Sequence, residues 1–161
     1  MISAFCDWLD ATALSQTFKD LTWFVPLVQT VHILCVAVVV TATAMTDCKL
    51  LGIPVGRQSL AEMVGDLMPW VWIALCVLLA TGALLTITEP SRELLNTAFR
   101  IKMLMVLALA AMLRIIQRGL RDGPDHWTQS RNRRHAARLM GAVSLLLAVS
   151  IVVAGRWIAY I

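Results

Sequence analysis

Two residues in the run "WFVPLVQTVHILCVAVVV" (residues 23–40) could do chemistry: His32 and, one turn before it, Gln29. Nearly every neighbour is apolar. A neutral imidazole in such surroundings can ligate a metal, or accept a proton, through whichever ring nitrogen its own hydrogen-bond partner leaves free. Two cations further along the chain join it, Lys102 and Arg156. One imidazole and two cations suit a flat apolar ring with an axial nitrogen ligand and two carboxylates at its rim, which is b-type haem. They also suit a quinone headgroup held by His32 and Gln29. The plainer reading is a neutral histidine bonded to a neighbouring helix, with Lys102 near a helix end reaching for the headgroups.

These residues need a scaffold, and composition says which. The chain has 161 residues, 59% hydrophobic and 15% charged, with a mean hydropathy of +0.76. A soluble domain carries about a quarter charged residues, so the deficit points to lipid. A helix crossing the hydrocarbon layer takes about 20 apolar residues. Four stretches qualify: 21–46, 68–88, 99–117 and 139–161. Backbone in lipid must satisfy its own hydrogen bonds, so the expectation is an all-α bundle of four transmembrane helices forming one domain over 1–161. Residues 1–20 carry Phe5, Trp8, Leu9 and Ala13 at helical spacing, which predicts an amphipathic helix lying along the interface. "MISAFCDWLD" is too acidic for a signal peptide, and the first span reads as a retained anchor. His32 then sits at mid-depth, where ionisable side chains usually face a bundle interior or a cofactor.

The net charge of +4 does not indicate nucleic acid, because its distribution has another explanation. Arg118, Arg121, Arg131, Arg133, Arg134 and Arg138 fall between spans three and four, whereas the link between spans two and three holds only Arg92. Basic loops stay in the cytoplasm. The chain is therefore expected in a bacterial inner membrane with both termini periplasmic. Span one should return to water at Asp47 and Lys49, span two should start at Pro69, and "SLAEMVGDLMP" before it reads as a short surface helix. On this topology Lys102 and Arg156 share the outer half with His32. Asp47, Arg114 and Gln117 would solvate inner helix ends, with an Asp47–Arg114 pair conceivable there.

Counting narrows the cofactor. His32 is the one histidine inside a span, since His126 and His135 are in the basic loop. Two bis-histidine haems cannot be built from one chain. A single haem would take His32 and then a methionine, a lysine, water or a partner's residue, with Met103, Met105 and Met112 available. Cys6, Cys35, Cys48 and Cys76 show no CxxC or CxxCH spacing, against a zinc ribbon or covalent haem. Cys35 and Cys76 read as small apolar fillers. Copper handling by His32 and methionines is a weaker reading, as no outward Met/His cluster is visible.

"WLDATALSQTFKDLTWFVPLVQTVHIL", "DCKLLG", "PWVWIALCVLLATGALL", "EPSRELLNTAFRIKMLMVLALA" and "GRWIAYI" together resemble an uncharacterised family of small bacterial four-helix inner-membrane proteins, over nearly the whole chain. More distantly, the span-one histidine, the lysine opening span three and the terminal Gly–Arg are similar to HemJ-type protoporphyrinogen oxidases and CopD-like membrane proteins. The resemblance implies that His32 ligates haem and that Lys102 is a second functional position. The chain departs from the family's pattern in "DCKLLG" and at Ile116 and Gln117, where a phenylalanine–histidine pair is common. The expected function is electron transfer between the quinone pool and a partner redox protein. The alternative is a cofactor-free anchoring or assembly subunit, in either case embedded in the lipid bilayer beside a partner protein or further copies of itself.

Overall fold

The computed structural model describes residues 2–123 and 126–157, and these are all-helical apart from short connections. In chain order the helices are α1 (Ile2–Asp10), α2 (Ala13–Asp20), α3 (Phe24–Leu51), α4 (Leu60–Thr88), α5 (Pro90–Leu94), α6 (Thr97–Arg121) and α7 (Arg131–Trp157). Among the described residues α3, α4 and α7 are long and apolar enough to cross a membrane. Helix α6 is long, but its charge-free stretch covers only residues 103–113, about 16 Å at 1.5 Å per residue. Arg100 and Lys102 precede that stretch and Arg114, Arg118 and Arg121 follow it. The last part of the expected fourth span, 158–161, lies outside the described residues.

Local chemistry sets the ends of the helices, and several lie beyond the expected bounds. Pro26 sits in the first turn of α3, where no partner exists for the amide it lacks. Gly52 ends α3 with φ +88, a left-handed conformation that costs glycine little, and Ile53 N–H closes back on the Cys48 carbonyl at 2.9 Å. Ser59 starts α4: its Oγ accepts from the Glu62 amide at 3.2 Å while Glu62 accepts from the Ser59 amide at 2.7 Å. That box corrects the expectation at Pro69. The half-polar segment before it and the apolar span after it are one helix, with Pro69 inside. Helix α7 likewise begins at Arg131, so of the arginines expected in a loop Arg131, Arg133, Arg134 and Arg138 lie on its first turns, and Arg118 and Arg121 on the last turn of α6.

The N-terminal segment is two helices rather than one, broken where Thr12 accepts from the Ser15 amide and caps α2. Both dock on the bundle. Ser15 Oγ donates to the Ile87 carbonyl at 2.9 Å, Cys6 Sγ lies 3.7 Å from the Pro90 carbonyl, and Phe18 stacks on Phe24. Phe5, Trp8 and Leu14 remain exposed. All four cysteines are free thiols. Cys35 packs against the core, whereas Cys76 is exposed.

Helix α3 packs chiefly on α4 and α7, and α6 packs on α7. Large residues from α4 and α6 (Met68, Val71, Leu113, Ile116) fill the core, and α7 presents a small-residue stripe of Ala137, Gly141, Ser144 and Ala148. Small side chains let backbones approach closely. At Gly141 a Cβ would stand 3.1 Å from the Asp47 carbonyl oxygen and 3.1 Å from Leu50 Cβ. Because α3 and α7 run antiparallel, the start of α3, the end of α4, the start of α6 and the end of α7 meet at one end of the bundle.

Candidate functional site

That end encloses a cavity of about 500 Å³. Its walls hold Gln29 and His32 from α3, Glu93 from α5, Lys102 from α6 and Arg156 from α7. All four residues expected to act together line it, although they are spread over 127 positions of sequence, from 29 to 156. Apolar walls come from Val36, Leu85, Ile151 and Val152.

His32 is half-buried, and its ring is fixed on one side. Nδ1 lies 2.8 Å from Thr81 Oγ1. With the Thr81 hydroxyl donating its only proton to the Val77 carbonyl, 2.7 Å away, its oxygen is left to accept from the ring. In that tautomer Nδ1 carries the proton, and Nε2 keeps a lone pair. A ligating histidine is arranged this way, with one nitrogen held by an acceptor and the other left for the metal. Gly82 gives the ring its room: a Cβ there would stand 3.7 Å from His32 Cε1, in ordinary contact, whereas longer side chains would reach further. Gln29, exposed to the cavity one turn earlier, adds an amide.

Cations and acids gather near the mouth. Lys102 is half-buried, and Gly155 makes its place, since a Cβ there would stand 3.4 Å from Lys102 Nζ. Among the described residues no acceptor lies within hydrogen-bond distance of that ammonium. Glu93 feels it as charge. Burial pushes the Glu93 carboxyl above its ordinary range, while Lys102 and Arg92 pull it back down and Glu89 pushes it up. Arg92 also donates to Glu89 at 2.7 Å. The cavity thus has an imidazole within, cations and carboxylates at its rim, and apolar walls between.

Met103, Met105 and Met112 do not line this cavity. Among the described residues no three His, Cys, Asp or Glu side chains gather to hold a metal ion by themselves. Outside the site, His126 lies beside Arg133 at 3.3 Å and His135 is exposed on α7. Thr81, Gly82 and Glu93 were not singled out from sequence, and Gly155 was noted only as a small residue of the terminal Gly–Arg. The adjacent Thr–Gly pair inside an apolar run was their one available signal.

Asp47 needs correction. It does not solvate a helix end: it is 0% exposed and bonded to Ser144 of α7. Nor does it pair with Arg114, which lies 5.4 Å over the Trp72 ring and donates to Gln117 Oε1 at 3.3 Å, while Trp72 Nε1 donates to the same oxygen at 3.2 Å. Arg114 is exposed on α6, whereas the core-facing side of α3 carries Asp47 against α7's small-residue stripe.

The chain belongs to the DUF6644 family, a family of unknown function, whose pattern matches residues 5–161. No curated protein matches it. No solved structure matches it either.

Proposed function

We propose that this chain is a membrane b-type haem protein that passes electrons between the quinone pool and a partner redox protein. The observation that carries the reading is His32: Thr81 holds one ring nitrogen, and the other is free at a cavity shared with two cations. The volume lies within the range of cofactor sites, about 300–1,000 Å³. His32 would hold the iron through Nε2, Thr81 would keep the ring in the required tautomer, and Lys102 and Arg156 would sit near the propionates. When bound, the haem supplies a one-electron carrier. The chain's own part is to ligate it, exclude water along the apolar walls and neutralise its carboxylates. The three methionines lie elsewhere, so water or a residue of a partner protein, or Lys102 in place of its role at the propionates, would complete the ligation. A quinone headgroup between Gln29 and His32 would use the same polar groups.

Placement follows the same reading. Helix α6 acts as a fourth span, its short apolar centre extended by arginines that snorkel at both ends. The arginine-rich segment around α7's start lies in the cytoplasm and both termini face the periplasm of a bacterial inner membrane. Helices α1 and α2 lie at the outer interface, with Phe5, Trp8 and Leu14 toward the headgroups.

The test is an optical spectrum of the purified protein, oxidised and then dithionite-reduced, after growth with added haem. A Soret band and reduced α-band that vanish in His32→Ala are expected. A folded protein with neither band overturns the reading. The second reading, a cofactor-free anchoring subunit, is favoured by the same Thr81 bond, which alone satisfies one side of the ring. It predicts that His32→Ala weakens folding or association and changes no spectrum.

A further inference from the structure

The other end of α3 closes over an acid. Asp47 and Thr43, one turn apart on one face of the helix, are both 0% exposed, as is Ser144 opposite them on α7. Ser144 Oγ donates to Asp47 Oδ2. Asp47 Oδ1 and Thr43 Oγ1 have no hydrogen-bond partner. Buried polar atoms left like this are few in native proteins and signal an occupant or a function.

No cation compensates the carboxylate. The ion pairs Lys19–Asp10 and Arg92–Glu89 do not involve it. On α3 itself, Lys49 Nζ donates to the Val55 and Gly56 carbonyls at 2.7 and 3.3 Å, and Cys48 is half-buried. From α7, Arg138 reaches Gly52, where a Cβ would stand 3.7 Å from its Nη2. From α4, Glu62 and Asp66 are exposed, and Glu62 caps Ser59. A bare carboxylate in such a place is costly, and the group takes a proton instead. A dehydrated metal cation asks for about six oxygens. Helix α3 is regular through residues 43–47, so its carbonyls are engaged, and only Thr43, Asp47 and Ser144 side chains remain.

We propose that Asp47, with Thr43 and Ser144, is a proton-binding site: a carboxylic acid kept neutral in the folded protein, exchanging its proton at the end of the bundle opposite the His32 cavity. With Oδ2 receiving the Ser144 proton, the acid's own proton belongs on Oδ1. Thr43 Oγ1, one turn earlier and likewise unpartnered, makes no direct bond to it, so one bridging water would carry that proton between them. The step is simple dissociation, COOH to COO⁻ and H⁺, and needs no co-reactant. It does not depend on the haem reading.

The test is infrared spectroscopy of the reconstituted protein near neutral pH, in H2O and D2O, for wild type, Asp47→Asn and Glu93→Gln. A carboxylic-acid carbonyl band that shifts in D2O should survive Glu93→Gln and vanish in Asp47→Asn. If Asp47→Asn removes carboxylate bands instead, the acid is ionised and the proposal falls. Thermal melting gives a second reading. Asparagine mimics the neutral acid, so Asp47→Asn should match wild type only below the ordinary aspartate range and surpass it by a gap that grows as pH rises through neutrality. A variant that melts well below wild type, by a gap growing with pH, overturns the proposal. Should that variant fail to fold, aspartate labelled with 13C at the carboxyl in wild type serves: the acid band must move with the isotope, and an unmoved band sinks it.

Discussion

Each end of α3 holds an ionisable side chain against a neighbouring helix, α4 at the first and α7 at the second, and they are built differently. At the first, His32 is half-buried, tied by Nδ1 to Thr81, and opens on about 500 Å³ of space with charges around it. At the second, Asp47 is fully covered, contacts Ser144, and has a glycine packed so close that a Cβ would come within 3.1 Å of its backbone. Open space beside a half-satisfied donor set suits a ligand. Close packing around an orphaned oxygen suits nothing larger than a proton or a water. The same helix thus supplies a molecule-sized site and a proton-sized one, and what separates them is how much space the neighbouring helices leave beside it.

Mutations can break that contrast. The largest effect is expected from His32→Ala, which should abolish copurified haem, measured as the haem-to-protein ratio, while Asp47→Asn leaves the ratio unchanged. Loss in both would mean that the two ends are one coupled site. Thr81→Val should leave the ring's Nδ1–H unpaired and weaken haem binding about 10- to 100-fold, as loss of such an orienting partner does; titration of apoprotein with haem measures it.

Glycines sharpen the comparison by stability. Alanine gains about 1 kcal/mol over glycine within a helix, so Gly82→Ala, in ordinary contact with His32, should hold or raise the melting temperature. Gly141→Ala meets backbone, and overpacking of about 1–3 kcal/mol should outweigh that gain. Equal melting of the two would show that the closed end is as loose as the open one.

The smallest effect belongs to Glu93. Folding holds its carboxyl above the ordinary range by burial, so the folded state favours the proton. Its contribution is full below the ordinary glutamate value and is lost as pH rises through the raised one. Glu93→Gln should flatten that part of the melting-temperature profile, and an unchanged slope would show that the rim is wetter than its burial suggests.

The open end was legible in sequence because its residues stand out. A histidine, a glutamine and a lysine inside apolar runs are conspicuous, and helix direction placed them in one half. Asp47 was not legible. It sits beside Lys49 and a Gly/Pro turn, where an acid normally meets water, and only the partner helix reveals otherwise. Pro69 misled for a related reason: proline reads as a helix start, yet the Ser59–Glu62 box upstream stabilises the earlier boundary.

Hydropathy and periodicity by themselves determined that the chain is helical and that long apolar helices suited to a membrane make up its bundle, because those properties are summed along neighbouring residues. Which polar groups meet was decided only by the tertiary structure. Thr81 behind His32, Gly155 beside Lys102 and Ser144 over Asp47 lie 49, 53 and 97 positions apart in the chain. Pairings at that range depend on which helix faces pack and how closely, and no local pattern encodes them.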